Sequence, residues 1–212
     1  MRVLIACEYS GAVRDAFIKQ GHDAMSCDIL PTDVAGPHYT GDVFDVINDG
    51  WDLMIAHPPC TYLAVSGNRW LYNKDGSKNE ERWKNREAGL DFVRALMDAP
   101  IKHIAVENPV SVISSEIRKP DQIIQPWQFG DEAQKTTCLW LKNLPKLKPT
   151  RIVGKGEMVT YKSGNTMPKW YADAFKLPKA ERQKLRSKTF QGIADAMAEQ
   201  WVFTSSQLEL SL

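Results

Sequence analysis

A charge excess of either sign, paired cysteines and long apolar runs are all missing from this chain. Its 212 residues carry 27 Lys and Arg against 26 Asp and Glu, so no global basic field marks a nucleic-acid binder, although local patches can still make one. The four cysteines, Cys7, Cys27, Cys60 and Cys138, never stand at CxxC spacing. That argues against a zinc cluster or a disulfide framework and favours a reducing compartment, with no metal expected. No window approaches ~18 consecutive apolar residues, which argues against a membrane span. The short apolar run from Met1 to Ala6 reads as a first strand and not as a signal peptide. There is no GxGxxG, hence no dinucleotide fingerprint, and no internal repeat or low-complexity tract.

What is present centres on Pro58-Pro59-Cys60-Thr61. The apolar run Trp51-Asp52-Leu53-Met54-Ile55-Ala56 before it reads as a buried strand. A Pro-Pro pair donates no ladder hydrogen bonds and cannot continue a central strand. The chain must turn at His57-Pro58-Pro59 and present Cys60 at the strand's end, where ligands gather in parallel α/β sheets. Val106-Glu107-Asn108-Pro109 repeats the design, with an apolar run, a polar pair and a stopping proline. A thiol and a carboxyl at neighbouring strand ends are the parts of a two-residue site. His57 with Cys60 makes an HxxC pair, but two ligands do not make a metal site.

The rest of the chain alternates. Val3 to Cys7 reads as a strand, Ala12 to Gln20 as a helix closed by Gly21, and Asp23 to Cys27 as a strand with Asp28 at its end. A loop runs from Pro31 to Gly41. Asp52 to Ala56 and His103 to Val106 are further strands, Glu80 to Asp98 a helix. Strand-like pieces lie between Gln125 and Leu144, loops or a small hairpin between Pro145 and Pro168. Two helices follow, Pro178 to Leu185 and Phe190 to Trp201. The alternation predicts an α/β fold with a doubly wound, mostly parallel sheet. One domain over residues 1–203 is expected, with 204–212 as a loose tail.

Polar positions at the early strand ends suit a nucleoside cofactor. The turn Glu8-Tyr9-Ser10-Gly11 offers backbone amides and a helix N-terminus to a carboxylate or phosphate. Asp28, about 20 residues on, stands where a carboxylate binds ribose hydroxyls. Asp42 can accept from an adenine amino group. Cap or loop carboxylates are the plain alternative for both aspartates.

The ordered set Tyr9-Ser10-Gly11, Asp28, Gly41-Asp42, Pro58-Pro59-Cys60 and Glu107-Asn108 resembles the cytosine-5 DNA methyltransferase family, most of all its short phage-type members. Residues 1 to about 110 carry the resemblance. Ser66-Gly67 and the C-terminal Thr189-Phe190-Gln191-Gly192-Ile193-Ala194-Asp195 extend it more loosely. The resemblance implies a Rossmann-like sheet of the S-adenosylmethionine-dependent methyltransferase type and an enzyme of the DNA (cytosine-5-)-methyltransferase kind. It implies S-adenosylmethionine as cofactor, held by Glu8, Tyr9, Ser10, Gly11, Asp28, Asp42 and Pro58. Cys60 is then the nucleophile that adds to the cytosine ring. Glu107, protonated or sharing a proton through a pKa raised by burial, is the acid at the ring nitrogen, Asn108 holds the loop or the base, and Lys135 replaces a family arginine. The implied location is the cytoplasm of a bacterium or phage-infected host.

The chain departs from the family at several points. Ala12 and Val13 stand where a second loop glycine is usual, and Gln191-Gly192 where the family has Gly-Asn. Only about residues 145–170 remain, as a reduced loop or hairpin, where the family has a target-recognition region. Three substrate readings therefore stay open. One is duplex DNA with a flipped cytosine, with recognition intrinsic or supplied by a partner protein. Another is a free cytosine nucleotide. The third is a non-catalytic DNA-binding protein on a decayed methyltransferase fold. An adenine amino-methyltransferase would need an aromatic residue after the Pro-Pro pair, where Cys60 stands.

Overall fold

The computed structural model describes residues 1–202; the expected tail at 204–212 lies outside them. Its strands are β1 (Arg2–Ala6), β2 (Asp23–Asp28), β3 (His38–Thr40), β4 (Leu53–Ala56), β5 (His103–Asn108), β6 (Gln122–Ile124), β7 (Thr137–Lys142), β8 (Met158–Thr160) and β9 (Thr166–Pro168). The helices are α1 (Ala12–Lys19), α2 (Glu80–Met97), α3 (Ile113–Glu116), α4 (Lys169–Ala174), α5 (Lys179–Ser187) and α6 (Gln191–Gln200).

Seven strands form one sheet in the order β3-β2-β1-β4-β5-β7-β6. The first five pair in parallel, and β7 runs antiparallel between β5 and β6. The mixed α/β class is the one expected, and the sheet reverses its winding between β1 and β4. Such a switch point, at the carboxyl ends of the strands, is where ligands bind in open α/β sheets. The β8–β9 hairpin stands apart as a two-stranded sheet.

Strict alternation along the central strands builds two cores. Val3, Ile5, Leu53, Ile55, Ala105 and Leu139 face one layer, with Phe17 of α1 and Ile193, Ala194 and Met197 of α6. Leu4, Ala6, Met54, Ala56, Ile104, Val106 and Trp140 face the other, with Leu90, Val93 and Leu96 of α2. Both faces are covered, so these strands read as continuous apolar runs.

Local signals fix the ends that matter. Asn79 caps α2 by accepting from the Arg82 amide at 3.1 Å, and Glu80 and Glu81 in the first turn favour its dipole. Gly21 closes α1 at φ 81°. Its amide bonds Ile18 O at 2.8 Å and the His22 amide bonds Phe17 O at 3.1 Å, the paired bonds of a Schellman stop.

The expected Pro31–Gly41 loop contains β3, and β6 and α4 also lie where no element was expected. The two strands have three residues each, too few for a period-two pattern to show.

Candidate active site

Parallel winding brings the carboxyl ends of β1, β2, β4 and β5 to one edge, and antiparallel β7 begins there too, opposite Asn108. The sequence-predicted residues fall along this edge in two groups.

The first group is Cys60, Glu107, Asn108 and Lys135. Asn108, almost wholly buried, donates its side-chain amide to Pro58 O at 2.9 Å. That bond ties the end of β5 to the proline turn carrying Cys60. Cys60 is exposed, and its carbonyl accepts from the amides of Leu63 and Ala64 at 3.1 and 2.9 Å, which curls the next residues into a turn. Crowding by protein, then the Glu107 charge, raise the Cys60 thiol pKa above its ordinary value, while Lys135 and Arg186 pull it back. Three elements distant in sequence thus surround one thiol with one negative and two positive charges.

Glu107 is buried, and its Oε2 lies 3.1 Å from His57 Nδ1. The expectation that burial keeps Glu107 protonated is corrected by this contact. Burial does push its pKa up, but the His57 hydrogen bond and the charges of Lys135 and His57 outweigh it, and the net shift is downward. In the free protein Glu107 is a carboxylate. His57, weighed in the sequence only as a metal ligand, is its partner, and among the described residues the buried His57 Nε2 and Asn108 Oδ1 meet no hydrogen-bond partner. Lys135 also donates to Lys188 O at 3.1 Å. A small recess beside Glu107, lined by Lys135, Thr137, Thr189, Phe190 and Ile193, has room for about one water. A pyrimidine ring reaching Glu107 must stand at its mouth or displace a neighbour.

The second group is Glu8, Tyr9, Ser10, Gly11, Asp28 and Asp42. Glu8, buried, accepts from the amides of Val13 and Arg14 at 2.8 and 3.2 Å and from Ser10 Oγ at 3.0 Å. The anion at the α1 N-terminus is therefore the chain's own carboxylate, which corrects the expectation that this terminus is open to a ligand. Gly11 adopts φ 73°, and a Cβ there would meet the Arg14 guanidinium at 2.6 Å. Tyr9 reaches away, its hydroxyl 2.7 Å from Ser187 Oγ in the last turn of α5.

Asp28 accepts from the Leu30 amide at 2.9 Å, and burial raises its pKa. Asp42 accepts from the Phe44 amide at 3.0 Å, capping a 3-10 turn at Val43–Asp45. Each aspartate thus has a structural bond through one carboxylate oxygen.

The donor set fits a nucleoside bearing an amino-acid tail. Two carboxylates stand at adjacent strand ends, and among the described residues the amides of Ser10 and Gly11 meet no protein acceptor. Pro58 follows β4, which pairs with β1 on one side and β5 on the other.

Sequence reasoning missed Arg14, which is fully buried. Its guanidinium bonds Asp15, Ser26, Thr32 and the carbonyls of Val34 and Ala35, fixing the loop after β2 beside Asp28. Its helix also carries the charged Asp15 and Lys19, so nothing in the spacing singled Arg14 out. Among the described residues no group of three metal-ligating side chains gathers, and no helix is long and apolar enough to cross a membrane.

No family model and no curated protein matches the chain. Among solved structures it is similar to one described as a candidate DNA modification methyltransferase encoded within an E. coli prophage. The identity is 17%, the TM-score 0.49, and the match covers 73% of this chain and 52% of that one. The chain thus spans about half the length of that structure, and a likeness this distant says nothing about chemistry.

Proposed function

We propose that the protein is an S-adenosylmethionine-dependent methyltransferase acting on carbon 5 of cytosine in DNA, with Cys60 as the nucleophile. The observation that carries the reading is the meeting of Cys60, Glu107 and Lys135 at one sheet edge, with Asn108 clamping the Cys60 turn through Pro58. The switch point of a doubly wound sheet, with Asp28 and Asp42 at the carboxyl edge of the strands on the β1 side of it, supports the cofactor assignment. Asp28 and Asp42 would hold the nucleoside, the Ser10 and Gly11 amides its carboxylate. When bound, S-adenosylmethionine supplies an electrophilic methyl group.

The chain's own residues prepare the base. The Cys60 thiolate adds to ring carbon 6, forming a carbon–sulfur bond and turning carbon 5 into an enamine carbon. Electron density flows to the ring nitrogen, which takes a proton. The Glu107 carboxylate accepts from the exocyclic amino group. The hydrogen-bonded His57–Glu107 pair holds the proton that passes through Glu107 to the ring nitrogen. Lys135 balances negative charge next to both. Once carbon 5 carries the methyl group, its proton passes to solvent water, the carbon–sulfur bond breaks to restore the Cys60 thiolate, and the ring nitrogen returns its proton to the Glu107–His57 pair.

The test is nucleoside mass spectrometry of DNA from cells expressing the protein, beside Cys60→Ser. New 5-methylcytosine that vanishes in the variant, with cofactor binding retained by calorimetry, is expected. Unmodified DNA together with absent cofactor binding would overturn the assignment.

A further inference from the structure

The residues that follow Cys60 expose three large aromatics. Tyr62, Trp70 and Tyr72 are 37%, 55% and 50% exposed. Leaving this much apolar area in water is unfavourable, and contiguous patches of it mark binding surfaces. The rings are not loose. Arg82 lies over Tyr62 at 5.2 Å, Arg69 over Trp70 at 4.6 Å, and Tyr72 meets Trp83 edge-on at 6.3 Å. Arg86 braces the segment from α2 through the Tyr62 carbonyl and the Asn68 side chain. Residues 61–86 hold six basic and three acidic side chains, a local excess in a nearly neutral chain.

Aromatic faces interleaved with arginines suit a nucleic-acid strand, because every base has a stacking face and every linkage a negative charge. Bases inside a duplex have their faces covered by their neighbours. An aromatic side chain held in a protein surface therefore stacks on unpaired bases. The segment begins in the Cys60 turn itself, so a strand lying on it would run past the nucleophile.

We propose that residues 61–79, with the first turns of α2, form a stacking platform for single-stranded nucleic acid, and that the substrate is presented as an unpaired strand. This rests on the methyltransferase reading for the chemistry, though not for the binding. Such a platform removes the need for a large recognition domain to open a duplex.

The experiment is fluorescence anisotropy with a short cytosine-containing DNA strand and the same sequence as duplex, using the full chain, Trp70→Ala and Trp70→Phe. The expected result is tighter binding to the single strand. Trp70→Ala should weaken it about 5- to 160-fold, at 1–3 kcal/mol per stacked base, and Trp70→Phe should restore most of it. Equal affinity for strand and duplex, or single-strand binding indifferent to Trp70→Ala, would overturn the platform. Methyl transfer is read in parallel. If duplex DNA is methylated equally by the parent and Trp70→Ala, the platform fails and the chemistry stands. If Trp70→Ala loses strand binding while neither protein methylates, the platform stands and the chemistry fails.

Discussion

Two charges of opposite sign compete for the Cys60 thiol. Glu107 raises its pKa and Lys135 lowers it, so removing each should move the thiol in opposite directions. Glu107→Gln is expected to speed iodoacetamide alkylation of Cys60 at pH 8, and Lys135→Ala to slow it, each by about two- to tenfold, since one unit of pKa is a factor of ten in thiolate. Shifts of the same sign in both variants would show that the two side chains do not act on the thiol through charge.

The His57–Glu107 pair has a consequence for stability. The folded Glu107 pKa lies below its ordinary value, so the group stabilises the fold above its unfolded pKa of ~4.3, and that contribution is lost as pH falls through the lower folded value. His57→Phe leaves a buried carboxylate without its hydrogen bond, and desolvation then raises the Glu107 pKa. The variant should be about 1–3 kcal/mol less stable at pH 7, with the deficit shrinking as pH is lowered toward 5, measured by urea unfolding. A deficit independent of pH would mean that His57 contributes packing alone.

Cys60, Glu107 and Asn108 were legible because prolines flank them at the ends of apolar runs. The role of His57 was not, because its partner lies 50 positions away and a lone histidine carries no pattern. For the same reason the burial of Glu107 could be foreseen and its ionisation could not. Asp28 and Asp42 stood in the sequence as ribose and adenine acceptors or as cap carboxylates. Each has a cap or turn bond here, and their part in cofactor binding belongs to the proposal.

At the scale of elements, α6 shows where propensity and packing disagree. Gly192 lies in its first turn, and alanine there would improve intrinsic helix propensity by about 1 kcal/mol. A Cβ at that position, however, would come within 1.9 Å of Phe129 O, a backbone atom that cannot rotate away. The Gly192 amide also donates to Asp131 Oδ2 at 2.9 Å, locking the approach. Packing should win. Gly192→Ala is expected to destabilise by at least about 1–3 kcal/mol, the range for forcing extra atoms into a packed site. That corresponds to a melting temperature lower by several degrees in a chain of this size. A melting temperature raised by the substitution would mean that α6 does not dock on Phe129 as described. The long elements, α2 and the central strands, were legible from spacing because each buries a full face. The close approach at Gly192 was not, because it depends on a loop more than 60 residues earlier.

Across the whole molecule the four thiols report on how the sheet protects its edge. Cys27 and Cys138 are buried, Cys7 is half-buried and Cys60 is exposed. Burial, with the charge of Asp28 added, drives the Cys7 thiol far above its ordinary pKa and Cys27 up to about 11. Burial and Glu107 raise Cys138 as well. Reactivity needs both thiolate and access; all four thiols are shifted up, and three of them are also partly or wholly buried. Only Cys60 has access, with Lys135 and Arg186 offsetting part of its upward shift. Native protein at pH 8 should therefore take up one alkyl group quickly, mapped by peptide mass spectrometry to Cys60. The other three should react at the rate of opening, slower by orders of magnitude in a fold of ordinary stability, and all four should react together in denaturant. Cys7 is the discriminating case, because it lies at the end of β1 between the two groups of the site. Fast labelling of Cys7 beside Cys60 would mean that the sheet edge at the switch point opens without unfolding, and that the two halves of the site move independently.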